Sequence, residues 1–271
     1  MIALADPVVL AIGATGLTYV AADARVRRTR GRVPRRRARL AFLTGLGVLL
    51  LALTGPLDGA VERSFSWHMT QHLLLTMVAA PLLLLGAPIT LALQAWPGRP
   101  RRFTLALLHS GPSRVLANPV VSWALFFGVL WAVHLTGIYE AALRNQGVHA
   151  LEHVVLLATA LLFWMPIVRA DPSPAVVSYP GRILYLFVAM ASMGFLGLAL
   201  ISARAPLYAT YAQVEGRAGA IADQQAAGAI MWAGTMVLIV PALGFVLWDW
   251  MRADEREARR IDARLAGAGG A

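Results

Sequence analysis

Apolar residues in this chain come in seven long runs separated by short polar or arginine-bearing stretches. They cover approximately residues 7–22, 40–54, 67–93, 119–137, 148–168, 183–202 and 224–250. Each is roughly 15–27 residues long, about the length a helix needs to cross the hydrocarbon core of a bilayer. Lipid offers backbone amides no hydrogen-bond partner, so apolar runs of this length must be helical. The pattern predicts an all-α polytopic membrane protein, a bundle of about seven transmembrane helices over residues 1–251, followed by a charged tail at 252–271. The first two runs are short and call for snorkelling arginines or a thin bilayer. The third carries Pro81 and Pro88. It should kink there, or end near Gly86 and continue along the interface. The chain start lacks the basic segment of a cleaved signal peptide, and Asp6-Pro7 reads as an N-cap followed by a first-turn proline.

Composition agrees, with 58% hydrophobic and 14% charged residues. All 24 basic residues are arginine, and the net charge is +10. Such a charge invites a nucleic-acid reading, but arginines 25, 27, 28, 30, 32, 35, 36, 37 and 39 lie in one short stretch between apolar runs. A basic juxtamembrane loop is a topology determinant facing anionic lipid. Membrane lipids are therefore the expected partner, and nucleic acid is not. Keeping that loop in the cytoplasm puts the N-terminus outside and the C-terminus and its tail inside. Arg99, Arg101, Arg102, Arg114, Arg169 and Arg182 then also fall inside, leaving only Arg63, Arg144, Arg204 and Arg217 outside.

This topology sorts the polar residues. His68 and His72 begin the third run, His134 ends the fourth, His149 and His153 begin the fifth, and Asp223 with Gln224 begins the seventh. All of them fall near the outer surface, within about two helical turns of one another in depth. His109 alone among the histidines falls on the other side, in an amphipathic stretch at 102–116. Ionisable groups inside apolar segments are costly and mark function by default. Two imidazoles at i and i+4 share a helix face and can chelate one ion, and imidazole suits copper, zinc, iron and nickel. The alternative for the same histidines is hydrogen bonding that glues the bundle. The chain has no cysteine, so thiolate sites and disulfides are excluded. Glu152 serves as a ligand, as an acceptor orienting one, or as a solvated interfacial group. Asp223 ligates, takes a proton or caps the seventh helix. Met69 and Met77 offer thioethers for Cu(I) or simply pack. Trp67, Trp123, Trp131 and Trp164 read as interfacial or packing residues.

Three stretches carry a family resemblance. W-H-M-T-Q-H-L-L-L with A-P-L-L-L-L-G-A-P, H-A-L-E-H-V-V-L-L with F-W-M-P-I, and D-Q-Q-A-A-G-A-I-M-W occur in that order. They resemble the signatures of the CtaG-type cytochrome c oxidase assembly factors, the multi-span group named for caa-type oxidases, over roughly residues 40–250. The single-span copper donor that shares the CtaG name relies on cysteines and is a different protein. The resemblance implies a role in building the copper centre of the oxidase. Carried over, its motifs fall on His68, Gln71, His72, His149, Glu152, His153, Asp223 and Gln224.

Together these readings give a copper-binding assembly factor, a metallochaperone and not an enzyme, in the bacterial cell membrane. Its metal ligands are expected among His68, His72, His134, His149, His153, Glu152, Asp223 and Met69, supported by Gln71 and Gln224. Expected partners are the oxidase large subunit, an extracytoplasmic copper donor, lipids and, as a homodimer, a second copy. The main rival is an intramembrane zinc hydrolase using three histidines and an aspartate. A b-type cytochrome, a copper transporter and a purely structural protein are the others.

Overall fold

The computed structural model of the protein describes residues 6–30 and 36–268. All regular elements among them are helical. α1 spans Pro7–Arg30, α2 Arg36–Leu53, and α3 is a short turn at Pro56–Val61. α4 (Phe65–Leu73) runs through a π turn (Leu74–Ala79) into α5 (Ala80–Leu85) and α6 (Pro88–Ala95). Two short helices follow, α7 (Arg99–Leu108) and α8 (Gly111–Leu116), then α9 (Pro119–Leu135), α10 (Ile138–Arg144), α11 (Gln146–Val168), α12 (Tyr179–Ser202) and α13 (Ala209–Ala268). α13 is broken at Gly216, whose φ of 71° and ψ of 168° only glycine adopts readily.

Each of the seven apolar runs is helical, the third with a break before Pro88. Among the described residues five are long and apolar enough to cross a membrane, and the α9–α10 pair, bent by 69°, makes a sixth if it counts as one span. α2 falls short because Arg36, Arg37 and Arg39 occupy its first turn. The apolar remainder, at 1.5 Å per residue, is about 21 Å long against a hydrocarbon core of about 30 Å. The arginine-rich stretch is also less of a loop than expected. α1 continues through Arg30 and α2 begins at Arg36, while Arg32 and Arg35 lie outside the described residues. Asp23, within α1, pairs with Arg27 at 3.4 Å and Arg39 at 3.2 Å, which ties the two helices together. The cap and first-turn proline of α1 are as read: Asp6 Oδ1 accepts from the Val8 amide at 2.8 Å, and α1 opens on Pro7.

The third run shows how prolines shape a span. In the π turn the Ala80 amide reaches back five residues to the Leu75 carbonyl. Continued by one residue, that pattern would pair residue 81 with the Thr76 carbonyl, but Pro81 has no N–H. Trp164 Nε1 of α11 donates to that carbonyl instead, at 2.9 Å. Further on, Ala87 takes a left-handed conformation (φ 48°), and Pro88 starts α6. The α6 amides of Ile89 and Thr90 donate to Asp171 from the α11–α12 loop, at 3.1 and 2.7 Å. The expected break near Gly86 is thus present, and a π turn precedes it.

One hydrophobic core joins α4, α9, α11, α12 and α13. α1 and α2 pack beside it through a second cluster in which the Tyr19 and Phe42 rings stack at 3.9 Å. At the end of α11 away from His149, buried Arg182 donates to the Ile167 carbonyl and pairs with Asp249 at 3.4 Å, joining α11, α12 and α13. α12 and α13 touch backbone to backbone. A Cβ on Gly228 would lie 2.7 Å from the Gly197 carbonyl oxygen, and one on Gly197 would lie 2.8 Å from that of Gly228. Gly228→Val should therefore lower the thermal midpoint in detergent, with a loss of about 1–3 kcal/mol. Gly128→Ala on α9, where a Cβ meets nothing within 4 Å, should not lower it. Intrinsic tryptophan fluorescence on heating reads both.

Candidate metal centre

α4 presents the first histidine pair. Ser64 stands at its N-cap, its Oγ accepting from the Trp67 amide at 3.5 Å. Asp223 of α13 completes the cap, accepting from the Phe65 amide, from the Ser66 amide at 3.3 Å and from Ser64 Oγ at 3.1 Å. A helix start leaves amides unpaired, and a carboxylate there also meets the positive end of the helix dipole. One turn in, His68 and His72 follow on one face, their rings 4.5 Å apart. α11 supplies the second pair. Asn145 caps it through the amides of Gly147 and Val148, and the His149 and His153 rings lie 4.3 Å apart.

The two pairs face each other. The His68 ring is 5.0 Å from that of His149, and the His72 ring is 5.6 Å from that of His153. Donor atoms of His68, His149 and His153 lie within 4.8 Å of one another, as do those of His68, His72 and Glu152. His72 Nε2 stands 3.5 Å from Glu152 Oε1 without forming a hydrogen bond. His68, His72 and Glu152 are buried, His153 is 9% exposed, and His149 is half-buried. His134 of α9 joins from the side, its ring 6.2 Å from that of His72.

Hydrogen bonds settle which nitrogens are available. Tyr211 Oη donates to the Val61 carbonyl at 3.0 Å, so it can only accept at its lone pairs. His68 Nδ1, 3.3 Å away, is then the protonated nitrogen and Nε2 keeps its lone pair. His134 Nδ1 lies 2.8 Å from the Leu130 carbonyl, which again places the proton on Nδ1. Its Nε2 faces Met69 Sδ at 3.2 Å. Among the described residues no hydrogen-bond partner exists for His68 Nε2, His72 Nδ1 and Nε2, Glu152 Oε1 and Oε2, or His153 Nε2. A buried polar atom left so costs about 1–3 kcal/mol. A cation bound among lone pairs removes that cost, so the donor set fits a metal.

A family model, cytochrome c oxidase caa3 assembly factor, matches residues 17–253. The chain belongs to this family. Uncharacterized proteins of Mycobacterium bovis and Mycobacterium tuberculosis are each 33% identical to it over 265 residues, 94% of this chain and 39% of theirs. One from Mycobacterium leprae is 32% identical over 266 residues, 93% of this chain and 40% of its own. The chain thus spans about two-fifths of the length of these relatives. No solved structure matches it.

The family's motif residues divide by role. His68, His72, His149, Glu152 and His153 form the donor groups. His134 and Met69 adjoin them. Asp223 lies outside both groups and caps α4, not the helix it belongs to. Gln71 points the other way and donates to the Ala52 carbonyl of α2 at 2.8 Å. Gln224 fastens the α12–α13 loop, accepting from the Leu207 amide at 2.9 Å and donating to the Leu200 carbonyl at 3.2 Å. His109 is exposed at the end of α7, with Nδ1 2.7 Å from the Leu105 carbonyl. Met77 packs in the core, and Trp67 is half exposed.

Sequence reasoning missed the tyrosines. Tyr139 and Tyr208 meet Phe65 edge-on and Tyr211 stacks on it, beside the histidines. Tyr139 Oη lies 3.2 Å from Tyr211 Oη, and Tyr208 Oη donates to the His134 carbonyl at 3.0 Å. Burial pushes the Tyr208 phenol above its ordinary range, so it remains a donor at neutral pH. The available signal was that all three fall at the same predicted membrane end as the histidines. Capping rather than ligation by Asp223 has a direct test. Asp223→Asn keeps an acceptor and should hold metal affinity within about threefold, while Asp223→Ala should lose about 1 kcal/mol of stability. Metal titration beside thermal melting of both variants separates the roles.

Proposed function

We propose that this assembly-factor family member binds copper through His68, His72, His149, His153 and Glu152 and supports insertion of copper into cytochrome c oxidase. The observation that carries the reading is the convergence of these imidazole and carboxylate donors, among which, within the described residues, His68 Nε2, both His72 nitrogens, both Glu152 oxygens and His153 Nε2 lack hydrogen-bond partners. Neutral imidazole holds either oxidation state of copper, and the absence of cysteine keeps the site weaker than a thiolate trap. That suits an ion taken up and then passed on. The two donor groups share His68, whose Nδ1 faces Tyr211 and which therefore offers one nitrogen. They compete for it, and the cluster holds one ion that moves between them. Glu152 is the one carboxylate among the donors, so ionised it balances a monovalent cation in a region where net charge is costly.

In this reading the protein is a metallochaperone or assembly factor without catalytic activity of its own. It sits in the bacterial plasma membrane with the histidine end facing outward, its arginine-rich α1–α2 connection in the cytoplasm and its tail inside. Its partners are the oxidase large subunit and an extracytoplasmic copper donor. The zinc-hydrolase alternative needs an aspartate with free oxygens, and Asp223 is engaged by the start of α4.

Two outcomes are expected. His72→Ala and His153→Ala should each lower copper affinity at least about tenfold and reduce oxidase activity, with the protein still in the membrane. Elemental analysis of the purified variants, beside oxidase assays of the membranes, reads this. Unchanged copper loading in both and in the double variant overturns the proposal. A topology reporter fused after Gly31 should read cytoplasmic, and one fused after Gly59 should read extracytoplasmic. The reverse pattern places the site on the wrong side.

A further inference from the structure

Beside the histidine–glutamate groups lies a contact that packing alone does not explain. His134 Nε2 and Met69 Sδ are 3.2 Å apart, and both residues are buried. The proton of His134 is on Nδ1, held by the Leu130 carbonyl at 2.8 Å, so Nε2 presents a lone pair. A thioether sulfur also presents lone pairs and has no proton to give. Two Lewis bases therefore face each other with nothing between them to share. Met69 is next to His68 in sequence, and turning along α4 brings its sulfur to α9 instead of α11.

We infer that Met69 and His134 form a soft end of the donor cluster, selective for monovalent copper over harder divalent ions. This rests on the metal-binding reading above and adds to it the oxidation state. Thioether sulfur favours Cu(I), whereas imidazole and carboxylate alone accept zinc equally well. Bonds of about 2.0 Å to nitrogen and about 2.3 Å to sulfur together exceed the separation of the pair, so a shared ion sits off the line joining them. The nearest histidine ring to that of His134 is His72, at 6.2 Å, and among the described residues neither of its nitrogens has a hydrogen-bond partner. The cluster then runs from half-buried His149, through His153, His68 and His72, to a fully enclosed sulfur. An ion arrives at the accessible end, and only a soft one gains by going further in.

The test uses Ag(I), a redox-inert stand-in for Cu(I), and Zn(II) as the harder probe. Each is titrated into the detergent-purified full chain, wild type beside Met69→Leu. Leucine conserves volume and removes only the sulfur, so the fold should persist. The preference for silver over zinc should fall at least about tenfold in Met69→Leu, with zinc affinity held within about twofold. An unchanged silver preference with zinc binding intact overturns the soft end and leaves the histidine–glutamate reading standing. Parallel loss of both metals makes Met69 a packing residue and overturns it equally, as does a wild type that binds zinc but no silver.

Discussion

The first turn of α4 is held by a carboxylate from another helix, and the donor cluster depends on that contact. In water the free amides of a helix start find solvent. At the edge of a membrane bundle they need a protein acceptor, and Asp223 supplies one to Phe65 and Ser66. Gln224, the next residue, fastens the loop that leads from α12 into Tyr208 and Tyr211. Adjacent residues of α13 thus fix both the helix that carries His68 and the tyrosine that orients its ring. The register between α4 and α13 becomes a matter of hydrogen bonds, not of greasy contacts that slide.

Much of this was legible from the chain. Apolar runs became helices because lipid leaves the backbone no other solution, and the alternation of the runs put five histidines at one end of the bundle. What could not be read was the use each polar residue makes of its neighbours. Asp223, Gln71 and Gln224 stand in family motifs as the donor groups do, yet each bonds backbone on a different element. Residue type shows that a buried polar group needs a partner; only the packing shows which one. The tyrosines escaped notice for the same reason, since a tyrosine near an interface is ordinary until its hydroxyl is seen against an imidazole. The span count shifted because three arginines at the start of α2 shorten its apolar length.

The two ends of the bundle solve opposite problems. At one end, among the described residues, His68 Nε2, His72, Glu152 and His153 Nε2 are left without hydrogen-bond partners and are available to a cation. At the other, Arg182 is enclosed, with the Ile167 carbonyl and Asp249 meeting its charge. Closely packed glycines join α12 to α13 between them. The buried ion pair and the glycine contact stand away from the histidines, and the donors gather where the helices are held by caps and tyrosines.

The π turn below His72 has a consequence for how the family can vary. It accommodates one residue more than an α-helix of the same rise, and each residue turns a helix by about 100°. The histidine-bearing half of the span and its proline-bearing half are therefore set at an angle by a single inserted position, with Trp164 covering the carbonyl left over. A relative lacking that residue would keep every motif letter and still aim its imidazoles at a different neighbour. In this segment, length carries information that identity does not.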